Sequence, residues 1–161
     1  MRSLNIFIIA KTLHILAVVI WIGGVSFVTT VLIPSLRKYS ETSNKMDMFV
    51  ALESKFSVQA KILTLITGIT GLYMLYFLNA WERFLMLSYW WMHLMVIIWI
   101  IFFAVLFILE PLFLHEWFKK IAQENDLKSI KRLQLMHIVL LTLNILVIFF
   151  AFSGAHGLTL N

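Results

Sequence analysis

Five histidines and no cysteine define the chemistry open to this chain of 161 residues. Without thiols there are no disulfides, thiolate metal sites or iron–sulfur clusters, and the remaining soft or borderline ligands are imidazole and the thioethers of eight Met. His14 is the most demanding of the five. It lies well inside Lys11-Thr12-Leu13-His14-Ile15-Leu16-Ala17-Val18-Val19-Ile20-Trp21-Ile22-Gly23-Gly24, an apolar run of membrane-spanning length. An ionisable side chain at such a place calls for a partner. His93 stands early in another apolar run, and two imidazoles at one depth can satisfy each other through a shared metal ion.

The elements that must position these side chains follow from hydropathy. The chain is 61% hydrophobic and 13% charged, with a mean hydropathy of +0.93, which excludes an ordinary water-soluble globule. Apolar segments at roughly 4–33, 57–80, 87–109 and 133–153 each supply the ~20 residues a span requires, and lipid forces each to be helical. Met1-Arg2 followed by apolar residues resembles a signal peptide, but the run is too long and no small-x-small site closes it. Pro34 is expected to stop the first helix, and an amphipathic approach from about Asp47 to lead into the second. Asn79-Ala80-Trp81-Glu82-Arg83 ends that helix, the third runs past a kink at Pro111, and Asn125-Asp126 caps the fourth.

The expectation is therefore one all-α domain over residues 1–161: an integral membrane four-helix antiparallel bundle with helices at roughly 4–33, 47–80, 87–118 and 126–153. Both termini lie on one side. Ten Lys and Arg (Arg37, Lys38, Lys45, Lys55, Lys61, Lys119, Lys120, Lys128, Lys131, Arg132) flank the opposite side, against three (Arg2, Lys11, Arg83) on the terminal side. The positive-inside rule then makes the terminal side the outer one, in a bacterial inner membrane with periplasmic termini. In such a chain the net charge of +5 sets orientation at the lipid bilayer; nucleic acid is not expected as a partner.

With these directions His14, His93 and His156 fall in the outer half, and His115 and His137 in the inner half. Val18 and Trp21 share the face of His14, with Gly24 close beside it. On the second helix Thr64, Thr67, Gly68 and Gly71 form a stripe of small residues, suited to close helix packing and also to the flat wall a macrocycle needs. Haem b held between His14 and His93 is the leading expectation, with Trp21, Gly24, Gly68 and Gly71 around it and Lys11 or Arg83 for the propionates. His137 and His156 are the second choice of metal ligands. For His137 and Asn144, hydrogen bonds to neighbouring helices are the simpler reading, and an inner second site of His115 with His137 is the alternative. Two axial histidines favour electron transfer, with a quinone or a periplasmic protein as redox partner. Copper competes, because Met74, Met86, Met92 and Met95 lie near His93 and thioether with imidazole suits Cu(I). Methionine at helical spacing is, however, more often packing. A hydrolytic mechanism has no support: Ser26, Ser57 and Ser88 lack a recognisable base, and Glu110 beside Pro111 reads first as a solvated helix end, with carrying protons or pairing with Arg132 as the alternatives.

Lys11-Thr12-Leu13-His14-Ile15, continuing to Trp21 and Gly24, resembles the first helix of the superfamily that contains the CopD-like copper-resistance membrane domain and the HemJ-type protoporphyrinogen oxidases. Trp91-Met92-His93 is similar to a Trp-Leu-His stretch of the latter, and Thr67-Gly68-Ile69-Thr70-Gly71-Leu72-Tyr73 to a Thr-Gly-Leu segment of the former. The resemblance implies a small bundle binding b-type haem, with His14 as carried-over ligand. It adds two alternative activities, copper transport and protoporphyrinogen IX oxidation. Met95 stands where the HemJ-type pattern has Lys, and Ser153-Gly154-Ala155-His156-Gly157 replaces its Lys-Pro ending. The number of copies in an assembly is left open.

Overall fold

A computed structural model describes residues 2–38, 45–114 and 127–157. Every long element among them is a helix. Helix α1 (Arg2–Phe27) passes through a π-helical segment, Val28–Leu32, into α2 (Ile33–Lys38), so the two form one continuous rod. Helix α3 (Lys45–Phe77) returns antiparallel to it, and short 3-10 turns at Trp81–Leu85 and Leu87–Tyr89 lead into α4 (Trp90–Ala104). A π-helical segment, Val105–Leu114, continues α4, and α5 (Leu127–Ala155) closes the bundle. Four spans, Arg2–Ser35, Ala51–Phe77, Leu87–Leu112 and Ile130–Ala155, are long and apolar enough to cross a membrane. The all-α four-helix bundle therefore stands, with both chain ends at one face, called here the terminal end, and the α2–α3 and α4–α5 connections at the other, the loop end.

Neither proline ends its helix, contrary to expectation at Pro34. Proline removes one backbone donor and its ring crowds the carbonyl four residues back. Here the helix widens just before Pro34, where Ile33 N–H bonds the carbonyl of Val28, and Pro111 lies inside the second wide segment. The chain thus absorbs each ring without breaking. Helix α3 ends as expected, with Asn79 at φ 46° and Ala80 N–H bonded back to Leu75 O at 3.0 Å. Asn125-Asp126, the expected cap of the fourth helix, His115 and the stretch 115–118 lie outside the described residues.

Packing explains which faces turn inward. Ala10, Ala17 and Gly24 recur every seven residues on α1, and Ala17 packs in one core cluster with Ala60 of α3, while Thr64 and Thr67 of α3 are also buried; small residues on both helices let them pack closely. Trp21, Val25, Leu63, Ile98, Phe102 and Leu106 complete the core. Trp21 is 3% exposed and stands edge-on to Phe102, with ring centroids 4.8 Å apart. Outward faces carry Ile15, Val19, Ile69, Leu72, Ile97, Ile145 and Phe149, an apolar surface that only lipid tolerates at this extent.

Candidate functional site

The Trp21–Phe102 contact calibrates depth, because α1 and α4 both start from the terminal end. At 1.5 Å per residue, His14 lies about 10 Å and His93 about 13 Å from that contact towards the terminal end. The two histidines are matched in height to within about one helical turn. They are turned to different neighbours, however, and no direct bond joins them among the described residues.

His14 is held by α3. Its Nδ1 lies 3.0 Å from Thr70 Oγ1, while the Thr70 hydroxyl donates to Ile66 O at 2.6 Å. Thr70 is therefore the acceptor and His14 Nδ1 carries the hydrogen, leaving Nε2 as the basic nitrogen. That is the tautomer of a metal-ligating imidazole whose second nitrogen is anchored by a hydrogen bond. Gly71 lies under the ring: a Cβ there would stand 3.4 Å from His14 Cε1, an ordinary contact distance.

His93 is committed elsewhere. Its Nε2 lies 2.9 Å from Phe84 O, and its ring packs edge-on against Phe84 at 5.3 Å. A carbonyl only accepts, so Nε2 is the protonated nitrogen, and the ring pins the Trp81–Leu85 turn to the start of α4. Arg83 of the same turn lies over the Tyr89 ring, 5.3 Å from its centroid, and Lys11 is exposed on α1. His156 donates Nδ1–H along its own helix to Phe152 O at 2.7 Å, and is exposed.

The glycines that were expected to flank a macrocycle divide. A Cβ on Gly24 would lie within 2.2 Å of the Phe56 ring, and one on Gly68 within 2.5 Å of Trp99. Both positions receive aromatic rings from α3 and α4, so their smallness serves packing. Trp99 also donates Nε1–H to Thr64 O at 2.9 Å. A haem against either glycine would displace an aromatic side chain; around His14 and Gly71 the donor chemistry fits a haem at one axial position. With Nε2–H held by Phe84 O, the nitrogen His93 could offer a metal is Nδ1. No group of three or more His, Asp or Glu is placed to hold a metal ion among the described residues.

At the loop end the helices assemble a polar cluster that sequence reasoning missed. Glu110, in the wide segment after α4, accepts from the Ser57 hydroxyl and from Lys61 Nζ at 3.1 Å. It is neither a solvated helix end nor a partner of Arg132: its side chain is 18% exposed. The signal was Ser57 and Lys61 four residues apart on one face of α3, a polar stripe inside an apolar span. Glu53, Ser57, Glu110, His137 and Trp21 line a cavity of about 50 Å³ closed by Phe56, Leu106 and Met136. His137 donates Nδ1–H to the carbonyl of Leu133 in its own helix at 3.0 Å, and Asn144 likewise donates to Leu140 O at 2.7 Å, so among the described residues neither makes the interhelical bond expected of it.

No family model matches the chain, and no curated protein or solved structure matches it either. The fold and the two polar sites define its class: a membrane-embedded helical bundle with an anchored imidazole in one half and a carboxylate cluster in the other.

Proposed function

We propose that this protein is a b-type haem protein of the membrane, carrying electrons, with His14 as an axial ligand through Nε2. The observation that supports the reading is the Thr70 anchor, which fixes the His14 ring and leaves Nε2 basic inside the bilayer. Bound there, a haem would supply one-electron redox chemistry. The protein's own part would be to orient the imidazole through its Nδ1–H bond to Thr70 and so leave Nε2 free. His93 would offer Nδ1 as a second ligand while its Nε2–H stays on Phe84 O, and Lys11 and Arg83 would be cations at that end for propionates.

The charge asymmetry supports an inner-membrane protein of a bacterium with both termini periplasmic, and a quinone or a periplasmic protein as electron partner. The likeness of the His14 and Trp91-Met92-His93 stretches to CopD-like and HemJ-type proteins supports the same cofactor. The competing copper reading is tested alongside. Protein purified from cells supplied with haem is expected to show a Soret band that shifts on reduction. Metal analysis showing stoichiometric copper and no Soret band would replace haem by copper, and neither signal would refute both.

A further inference from the structure

The cluster at the loop end is independent of any haem, and among the described residues its charges do not balance. Lys61 neutralises one carboxylate, that of Glu110, which Ser57 also holds. Glu53 is the second carboxylate of the cavity, and no hydrogen bond fixes it among the described residues. The other groups facing it are few. Helix α1 contributes Trp21, α3 contributes Lys61, the segment after α4 contributes Glu110, and α5 contributes His137, while Lys55, Lys131 and Arg132 lie on exposed positions. A pocket walled by Phe56, Phe102, Leu106 and Leu140 does not hold an uncompensated charge cheaply. One proton restores neutrality.

The cavity is built to pass that proton. A volume of about 50 Å³ exceeds what one water needs, and a stable water also needs two to four polar partners. Glu53, Glu110 and the second ring nitrogen of His137 supply them, since His137 Nδ1 is occupied by Leu133 O. A further group is unsatisfied: Trp21 lines the same cavity, is 3% exposed, and its indole Nε1–H has no partner among the described residues. A buried indole donor beside carboxylates is satisfied by water in the space between them. Glu110 sits in a π-helical segment, a distortion that recurs at functional sites because it redirects backbone and side chain.

We infer that Glu53, His137 and the hydrated cavity between them form a proton-binding site reached from the loop end, beside the fixed and mutually neutralised Glu110–Lys61 pair. A proton from bulk solution passes through a cavity water, which gives one O–H proton to a Glu53 oxygen or to His137 as it accepts another from the solvent side, so the water is regenerated and the cavity gains one net proton. Ser57 and Lys61 hold Glu110 still while this happens.

Infrared difference spectroscopy on the full chain in lipid nanodiscs, with carbon-13 glutamate, tests the site directly. Between about pH 5 and about pH 9 the wild type is expected to lose a carboxylic-acid C=O band that shifts in D2O within the mixing time. Glu53→Gln should abolish the band, Glu53→Asp should replace it by an unlabelled aspartic band, and His137→Phe should move its midpoint. Glu82→Gln, at the opposite end, should leave it unchanged. Helicity by circular dichroism shows that each variant is folded. A band that survives Glu53→Gln, no titrating glutamate band in the wild type, or a band insensitive to D2O would each overturn the inference.

Discussion

Adjacent glycines on α1 should respond to the same substitution with opposite signs. Gly23 has nothing within 4 Å of an added Cβ, whereas a Cβ on Gly24 would stand 2.2 Å from Phe56 Cε2 and 3.1 Å from two further ring carbons. In a helix interior, Ala in place of Gly stabilises by about 0.5–1 kcal/mol. Gly23→Ala should gain that amount. Gly24→Ala gains it too, but must push a packed ring by about 1 Å, and overpacking of a core costs about 1–3 kcal/mol. Phe56 packs on the core, so its ring cannot shift without giving up contacts there. The net expectation is a loss of about 1–2 kcal/mol for Gly24→Ala, and a difference between the neighbours of about 2 kcal/mol. Gly68→Ala should be worse, since the ring it displaces is Trp99, whose bond to Thr64 O adds about 1 kcal/mol. Reversible unfolding in mixed SDS micelles, followed by far-ultraviolet circular dichroism, measures all three. Equal effects at Gly23 and Gly24 would refute the packing described for this face.

Glu110→Ala should cost about 1–3 kcal/mol by leaving Lys61 unpaired, a value discounted from that of a buried pair because both ends are partly exposed. The double variant Glu110→Ala with Lys61→Met should recover most of it in the same unfolding assay. Thr70→Val removes the acceptor for His14 and should lower stability by about 1 kcal/mol. In haem-loaded protein it should also broaden the Soret band, whereas Thr30→Val, whose hydroxyl bonds only Ser26 O, should not. Trp21→Ala should be the most damaging change of this set, at about 3–5 kcal/mol, because the ring is buried against Phe102.

The spans were legible because a bilayer imposes length and hydropathy on each helix separately, and both are local properties. Continuation through Pro34 was not, since whether a proline breaks or widens a helix depends on the turn before it, here Val28–Leu32. Matching the heights of His14 and His93 needed only helix directions, and that much follows from alternation. What each ring faces needed rotation about the helix axis, which hydropathy leaves free. Thus Thr70 emerged as the partner of His14, and Phe84 O as that of His93. Gly24 and Gly68 show the same limit: a small residue marks a close approach without saying whether an aromatic ring or a cofactor makes it. Glu110 was misread because its partners lie about fifty residues earlier, on α3, and a lone carboxylate beside a proline near a span end resembles an ordinary solvated terminus.

The most direct test of His14 as an axial ligand is the haem content of His14→Ala purified beside the wild type, before and after adding free imidazole. A ligand role predicts loss of the Soret band in the variant with helicity intact, and its return when imidazole fills the vacated position. A band that persists in His14→Ala, or one that imidazole does not restore in folded protein supplied with haem, would contradict it.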